Sequence, residues 1–250
     1  MARYRGPRTA ASIASFFRRR QQPAVTRLSG SELTPFSTGD DFVFVAHFQH
    51  SNDALSDRFT AIAEVYRDRY TFGYLGDQGQ EANSIRCFNN IDGLQYVETS
   101  LTRIGAIDRF VETCTEPLIP PLTRKSEAKH TQTGKSLVHY FTNDKSDRDL
   151  YVEKMRPLAK TYQEYLTFVT VDVTEYQDMP RAMGLKSDKG LVVENTRNGQ
   201  VFPFRGSSGP INAEDIETFI TAISRGKIPS WTGQDKSPGS LGTEEARDEL

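Results

Sequence analysis

The sequence predicts an α/β protein of two tandem units, each with a mixed central sheet flanked by helices. Segments with strand character alternate with segments of helical spacing, an order that requires crossover connections and a partly parallel sheet. Each half then ends in two strand segments around a short turn, followed by a helix, which adds antiparallel strands on one side. The same order occurs twice, at a spacing of about 100 residues, the size of a small domain.

The composition of the 250-residue chain narrows the class of protein. Hydrophobic residues make up 36% and charged residues 26%, which is enough apolar content for packed cores and too much for a wholly disordered chain. The net charge of −2 gives no electrostatic basis for binding nucleic acid. No apolar run approaches the roughly 20 residues that cross a bilayer. We therefore expect neither nucleic-acid binding nor membrane insertion.

The first predicted element is an amphipathic helix over residues 9–20. Ile13, Phe16 and Phe17 lie at helical spacing, and the three arginines at 18–20 end the helix, where positive charge is favourable against the helix dipole. These arginines stand where a secretory signal peptide would have small residues for cleavage. The segment is therefore predicted to be a helix and not a signal peptide.

The elements of the first unit follow from β-branched and aromatic runs for strands and from apolar residues three and four apart for helices. Asp53 is the expected N-cap of the longest helix. The predicted strands are 23–28, 42–48, 71–75, 84–88 and 94–97, and the predicted helices are 29–35, 53–70 and 104–116.

The second unit repeats this order, with a hairpin turn at Asn198-Gly199. Its predicted strands are 118–122, 137–141, 166–173, 191–194 and 201–204, and its predicted helices are 147–165, 177–185 and 213–223.

Several short motifs resemble the protein disulfide isomerase family. Residues 4–18 are similar to the last strand and helix of that family's first catalytic domain, and Pro23-Ala24-Val25 is similar to the start of its b domain. The stretch 184–204 and "GKIPS" at 226–230 resemble the b′ domain and its exit. The resemblance implies two tandem thioredoxin-like domains, each a mixed central sheet flanked by helices.

The resemblance also divides the chain into four parts. Residues 1–21 resemble the end of a preceding thioredoxin domain, 22–117 a b-type domain and 118–229 a b′-type domain. Residues 230–250 are rich in glycine, serine, proline and charge and are expected to be a disordered tail. The tail ends in Arg247, Asp248, Glu249 and Leu250, which match the family's signal for retention in the endoplasmic reticulum lumen.

The residues that perform the family's redox chemistry are missing from this sequence. The catalytic domains of the family carry C-G-H-C at a helix N-terminus, whereas this chain has only Cys87 and Cys114. Asn83 and Gly190 stand at the family's cis-proline positions. Exchange needs an accessible thiolate and a second sulfur, so we expect a redox-inactive chain with no catalytic residue. The two cysteines either pair in an oxidising lumen or remain buried free thiols, and the sequence favours the second alternative.

No cofactor and no metal site is predicted. The segment HTQTGKS at 130–136 lacks the first glycine of a phosphate-binding loop. His47 and His50 have no cysteine cluster beside them to complete a zinc site.

A hydrophobic groove in the second unit, which accepts unfolded chains, is implied by the resemblance. Methionine and tyrosine suit such a surface, because one adapts its shape and the other offers a ring and a hydroxyl. Trp231, the only tryptophan, either folds back from the tail as a groove cap or packs, partly exposed, on a helix end. The predicted lining residues of this groove are Leu122, Tyr140, Ala182, Met183 and Leu185. The alternative is that these five residues are ordinary core positions.

The sequence thus predicts a redox-inactive protein of the endoplasmic reticulum lumen that binds unfolded or partly folded polypeptides, like a chaperone, through its second thioredoxin-like domain. Its further expected partners are a KDEL-type retrieval receptor and other folding factors of that compartment. The alternative hypothesis is that the chain is the non-catalytic rear portion of a disulfide isomerase whose C-G-H-C domain lies upstream of Met1.

Overall fold

The computed structural model describes residues 9–49, 53–76, 82–206 and 211–233. The chain divides into two compact units, Met1–Pro117 and Leu118–Leu250. Each unit has its own five-stranded sheet.

The first unit contains a mixed sheet in the order β1-β3-β2-β4-β5. The pairs β1–β3 and β2–β3 are parallel, and the pairs β2–β4 and β4–β5 are antiparallel. A 3₁₀ turn at Gly30–Glu32 follows the first strand. The elements are α1 (Ala10–Gln21), β1 (Thr26–Leu28), α2 (Leu33–Ser37), β2 (Phe42–His47), α3 (Asp53–Tyr66), β3 (Thr71–Leu75), β4 (Ser84–Asn89), β5 (Leu94–Glu98) and α4 (Ala106–Thr115).

Successive side chains of β2 enter two different apolar clusters, as expected for a strand buried on both faces. Phe44 meets Phe110 of α4 edge to face and lies in one cluster with Phe59 of α3. Val43 and Val45 belong to a smaller cluster with Phe36 of α2. Helices thus cover both faces of the first sheet.

The helix α1 packs on the first unit through one side. Phe16 is buried, and the Arg19 guanidinium forms an ion pair with Asp40, which also accepts a hydrogen bond of 2.7 Å from the Thr71 hydroxyl at the start of β3. Arg19 further donates to the Asp68 carbonyl at 3.1 Å, just beyond α3. Phe17 on the same helix is exposed. The predicted helix over 9–20 is confirmed, and its contacts are with the unit that follows it.

The cysteines are not free thiols, which corrects the alternative that the sequence favoured. Cys87 of β4 and Cys114 of α4 form a disulfide, with their Cα atoms 6.4 Å apart. Both are fully buried within the main apolar cluster of the first unit. The sequence showed their apolar surroundings but not that β4 and α4 bring the two sulfurs together.

The second unit has a mixed sheet in the order β10-β9-β7-β8-β6. The strand β8 is parallel to β6 and β7, and β9 is antiparallel to β7 and β10. The elements are β6 (Pro121–Leu122), α5 (Glu127–Gln132), β7 (Ser136–Thr142), α6 (Lys145–Thr161), β8 (Leu166–Asp172), α7 (Met179–Ala182), β9 (Gly190–Asn195), β10 (Gln200–Pro203) and α8 (Ala213–Ser224). The predicted fold class of two mixed sheets flanked by helices is therefore confirmed.

Helix ends differ from the predicted ones where a capping residue decides the boundary. Asp144 caps α6, because its carboxylate accepts hydrogen bonds from the backbone N–H of Ser146 and Asp147. Gly105, with φ of 72°, precedes α4 and delays its start to Ala106. The side chain of Asp53, expected as a cap of α3, lies outside what the structure describes. The same holds for residues 77–81, where the repeat would have a helix between β3 and β4.

Candidate functional site

Three of the five predicted lining residues lie in one apolar cluster of the second unit. Leu122 of β6 and Met183 after α7 are buried there, and Leu185 packs against them partly exposed. The cluster fills the sheet face that contains Phe141 and Val171.

The other two predicted residues lie elsewhere. Tyr140 is buried in the cluster that contains α6, where its ring stacks on Tyr151 with a centroid separation of 4.0 Å. Burial raises the pKa of the Tyr140 hydroxyl above its ordinary value. Ala182, at the end of α7, is exposed. The five residues therefore do not share one surface, because Tyr140 and Phe141 are neighbours on a strand and enter opposite faces of the sheet.

Trp231 folds back onto the second unit beside two of the predicted residues. Its indole lies so close to the Gly184 backbone that a Cβ at position 184 would be 2.7 Å from Trp231 Cδ2. Its backbone N–H donates to the Val201 carbonyl of β10 at 2.8 Å. Gly184 stands between Met183 and Leu185, so the tryptophan covers the backbone that separates these two side chains. Residues 234–250, including Arg247, Asp248, Glu249 and Leu250, lie outside the described residues.

A cavity of ≈ 830 Å³ lies between the end of β10, the helix α8 and the segment that leads to Trp231. The rings of Phe204 and Phe219 meet edge to face in its wall, with centroids 5.1 Å apart. Phe204, Ile228 and Trp231 are partly exposed, so apolar surface is open to solvent. We call this cavity the Trp231 pocket; its apolar lining includes Pro203, Phe204, Phe219, Ala222, Ile228 and Trp231.

Apart from Trp231 itself, the residues of the Trp231 pocket were not predicted from the sequence. Phe204 and Phe219 fit a strand and an apolar helix face, and neither pattern indicates a cavity. The pocket exists because the chain turns at Gly226, with φ of 67°, after α8 and then runs beside the edge strand β10. The one signal in the sequence is the glycine followed by Ile228 and Pro229, an apolar pair after a helix end.

A second cavity, of ≈ 410 Å³, lies beside the apolar cluster that contains Leu122 and Met183. It is lined mainly by polar residues, with the ring of Tyr176 and the side chain of Met179 as its apolar part. The Arg124 guanidinium lies over the Tyr176 ring, 4.2 Å from its centroid. We call this cavity the Tyr176 pocket; its lining includes Arg124, Glu127, Glu175, Tyr176, Asp178 and Met179.

Neither pocket contains a sulfur nucleophile, since the only two cysteines are bonded to each other in the first unit. In the part of the chain that the structure describes, no group of three or more metal-ligating side chains is found. His139, buried in β7, is bonded through Nε2 to Glu194 Oε2 at 2.9 Å, and this hydrogen bond holds the pKa of Glu194 below its ordinary value. Among the helices in the described ranges, none has the length and apolar content needed to cross a bilayer.

Comparisons with known proteins agree with the observed fold. A model of the thioredoxin-like domain family matches residues 8–222. The chain is 28% identical to a protein disulfide-isomerase of Humicola insolens over 90% of this chain and 46% of that protein. It is 27% identical to a putative protein disulfide-isomerase of Schizosaccharomyces pombe over 91% of this chain and 48% of that protein.

Among solved structures, the bb fragment of ERp72 covers 83% of this chain and is itself covered completely, with 18% identity and a TM-score of 0.46. The chain spans about half the length of the curated relatives that it matches. It belongs to the thioredoxin-like domain family, and the two curated relatives described above are protein disulfide-isomerases.

Proposed function

We propose that this chain is a redox-inactive member of the disulfide isomerase family that binds unfolded or partly folded polypeptides through its second unit. The observation that carries the proposal is the Trp231 pocket, an apolar cavity lined by two phenylalanines and the only tryptophan. Sites that bind flexible ligands are mostly apolar, with aromatic side chains that contribute a large contact area.

The cysteine arrangement supports the absence of redox activity. Both sulfurs are buried and bonded to each other, so no thiolate is exposed to attack a client disulfide. Binding alone then remains for the chain to perform. Its affinity for a disordered segment is expected to be modest, because ordering that segment costs conformational entropy.

The predicted groove residues take a supporting part in this proposal. Met183 and Leu185 hold the Gly184 backbone against which the indole packs. Trp231 then has two roles: it lines the pocket, and it caps the surface beside Met183. Displacement of the tryptophan would enlarge the apolar surface offered to a client.

The proposal places the protein in the endoplasmic reticulum lumen, with a KDEL-type receptor and other folding factors as further partners. Its support is the terminal Arg247-Asp248-Glu249-Leu250 and the family membership. A reporter protein that carries this tail should be retained in that compartment, and retention should be lost when Leu250 is followed by two added glycines.

The test of polypeptide binding uses the fluorescence of Trp231, which reports on the pocket without a label. Titration with an unstructured, apolar peptide should shift the emission. The variant Ile228→Asp puts a carboxylate into the pocket and should weaken binding about tenfold, equivalent to about 1.4 kcal/mol. Leu150→Asp is the matched control, because Leu150 is an exposed leucine of α6. Equal binding by the two variants would refute the assignment of the pocket.

A second candidate function is favoured by the half-length match to the curated relatives. As this second candidate, we infer that the chain serves as the client-binding half of a disulfide isomerase. Sequencing the full-length transcript decides this point: an upstream C-G-H-C in the same reading frame supports it, and an in-frame stop codon before Met1 excludes it.

A further inference from the structure

The Tyr176 pocket already holds a cation that belongs to this chain. Arg124 precedes α5, and its guanidinium carbon lies 4.2 Å from the centroid of the Tyr176 ring. This distance is well within the range of a cation–π interaction, for which the electron-rich face of an aromatic ring attracts a positive group. Arg124 Nη1 is also 3.8 Å from Glu127 Oε2.

The negative charges around the Arg124 guanidinium outnumber the single positive charge that it carries. Glu127, Glu175 and Asp178 line the pocket together with Arg124, which leaves three carboxylates for one guanidinium, a formal balance of −2. The Tyr176 hydroxyl is 3.4 Å from Glu127 Oε2, so the ring and this carboxylate form one surface. The pocket thus remains complementary to additional positive charge.

The contact made by Arg124 can be replaced. Its side chain is 65% exposed and that of Glu127 is 45% exposed, and ion pairs with this exposure contribute only about 0–1 kcal/mol. A cavity of ≈ 410 Å³ remains beside the ring. Met179 borders this space and provides an apolar surface for the methylene stem of a long basic side chain.

We propose that the Tyr176 pocket is a subsite for an arginine side chain of the bound polypeptide, and that Arg124 acts as an internal competitor that the client arginine displaces. This inference rests on the proposed function, since it concerns the sequence of the polypeptide that the second unit binds. Arginine is favoured over lysine because a planar guanidinium stacks on an aromatic ring and offers paired donors to a carboxylate.

The test compares three labelled peptides that differ at one position, which is arginine, lysine or citrulline. Citrulline keeps the shape of arginine and lacks its charge. Fluorescence anisotropy with the full chain should give about fivefold tighter binding for the arginine peptide than for the citrulline peptide, as expected for one cation–π contact with partial charge pairing. The lysine peptide should fall between them, and the difference should shrink at high salt.

Three variants locate the effect. Glu127→Gln combined with Glu175→Gln should reduce the preference for arginine over citrulline by the part that charge pairing contributes, while the contact with the Tyr176 ring remains. Arg124→Ala removes the competitor and should tighten binding of the arginine peptide about threefold, with less effect on citrulline. Glu153→Gln is the control, because it removes an exposed carboxylate from α6 and not from the pocket. Thermal unfolding of each variant verifies that the second unit remains folded.

The outcomes separate this inference from the proposed function. Equal affinity for the three peptides, or an Arg124→Ala variant that binds arginine no better, would overturn the arginine subsite. If the three peptides bind with equal affinity and Ile228→Asp weakens the binding of all of them, the Trp231 pocket is supported and the arginine subsite is rejected. If no peptide binds at all, both the proposed function and the subsite are rejected.

Discussion

The position of the only tryptophan side chain depends on the backbone at Gly184. Its φ of 82° is one that L-residues rarely adopt, and the place of a Cβ is filled by the indole of Trp231. Two constraints therefore act at this residue. Gly199, with φ of 70°, carries only the first, because a Cβ added there would meet nothing within 4 Å.

The pair of substitutions Gly184→Ala and Gly199→Ala separates these constraints. Both should lose roughly 1–2 kcal/mol of unfolding free energy from the left-handed backbone. Only Gly184→Ala should also displace the indole and move the Trp231 emission to longer wavelength. Urea unfolding and emission spectra measure the two effects. Identical spectra for the two variants would show that Trp231 does not depend on Gly184.

The pair of His139 and Glu194 makes the second unit sensitive to acid. The hydrogen bond from His139 lowers the pKa of Glu194 below its ordinary 4.5 and outweighs the opposing effect of burial. A group with a depressed pKa in the folded state stabilises the fold above its unfolded pKa, and this contribution is lost as the pH falls through the folded value.

The variant Glu194→Gln should therefore be less stable than the wild type near neutral pH, and this difference should shrink as the pH falls below 4.5 and through the lower folded-state pKa, where the wild-type carboxylate becomes protonated. The unfolding free energy of the variant, measured against pH, should fall less on acidification than that of the wild type. Glu153→Gln, an exposed carboxylate of α6, should keep the wild-type slope. A Glu194→Gln curve parallel to the wild-type curve would contradict the role of the pair.

At the scale of elements, α1 shows which contacts attach a helix to a sheet. Arg19 and Asp40 have side chains only 11% and 10% exposed, whereas the neighbouring pair of Arg20 and Asp68 is 38% and 36% exposed. Loss of one partner of a buried pair leaves an unpaired charge, which costs more than the loss of an exposed pair.

The neighbouring variants Arg19→Ala and Arg20→Ala test this difference. Arg19→Ala should destabilise the first unit by about 3 kcal/mol, near the lower limit for a buried pair. Arg20→Ala should cost less than about 1 kcal/mol. Urea unfolding followed by far-ultraviolet circular dichroism gives both values. A similar cost for the two variants would mean that burial of the Asp40 pair does not govern the attachment of α1.

The sequence predicted the helices and strands better than it predicted which of them contact one another. The run FVFVAHF identified β2, and the spacing of Leu55, Phe59 and Ile62 identified α3, because local periodicity reflects burial. Contacts between residues that are far apart in the sequence cannot be predicted from any local pattern. The disulfide depends on the packing of α4 against β4, and the Trp231 pocket depends on a turn at Gly226, so both required the tertiary structure.

At the scale of the whole molecule, each apolar cluster consists of residues from one unit. The two units therefore have separate hydrophobic cores, and we expect them to unfold in two transitions and not in one. The disulfide belongs to the core of the first unit alone, so it offers a way to assign the transitions. A crosslink that joins residues 27 positions apart stabilises a fold by about 3–4 kcal/mol through the unfolded chain.

The double variant Cys87→Ala/Cys114→Ala should therefore shift one calorimetric transition to lower temperature and leave the other, that of the unit with Trp231, unchanged. Tryptophan emission identifies the unaffected transition, because Trp231 lies in the second unit. A thiol assay on denatured wild-type protein without reductant should detect no free thiol. Two titratable thiols would contradict the disulfide, and a shift of both transitions would show that the units unfold as one cooperative structure.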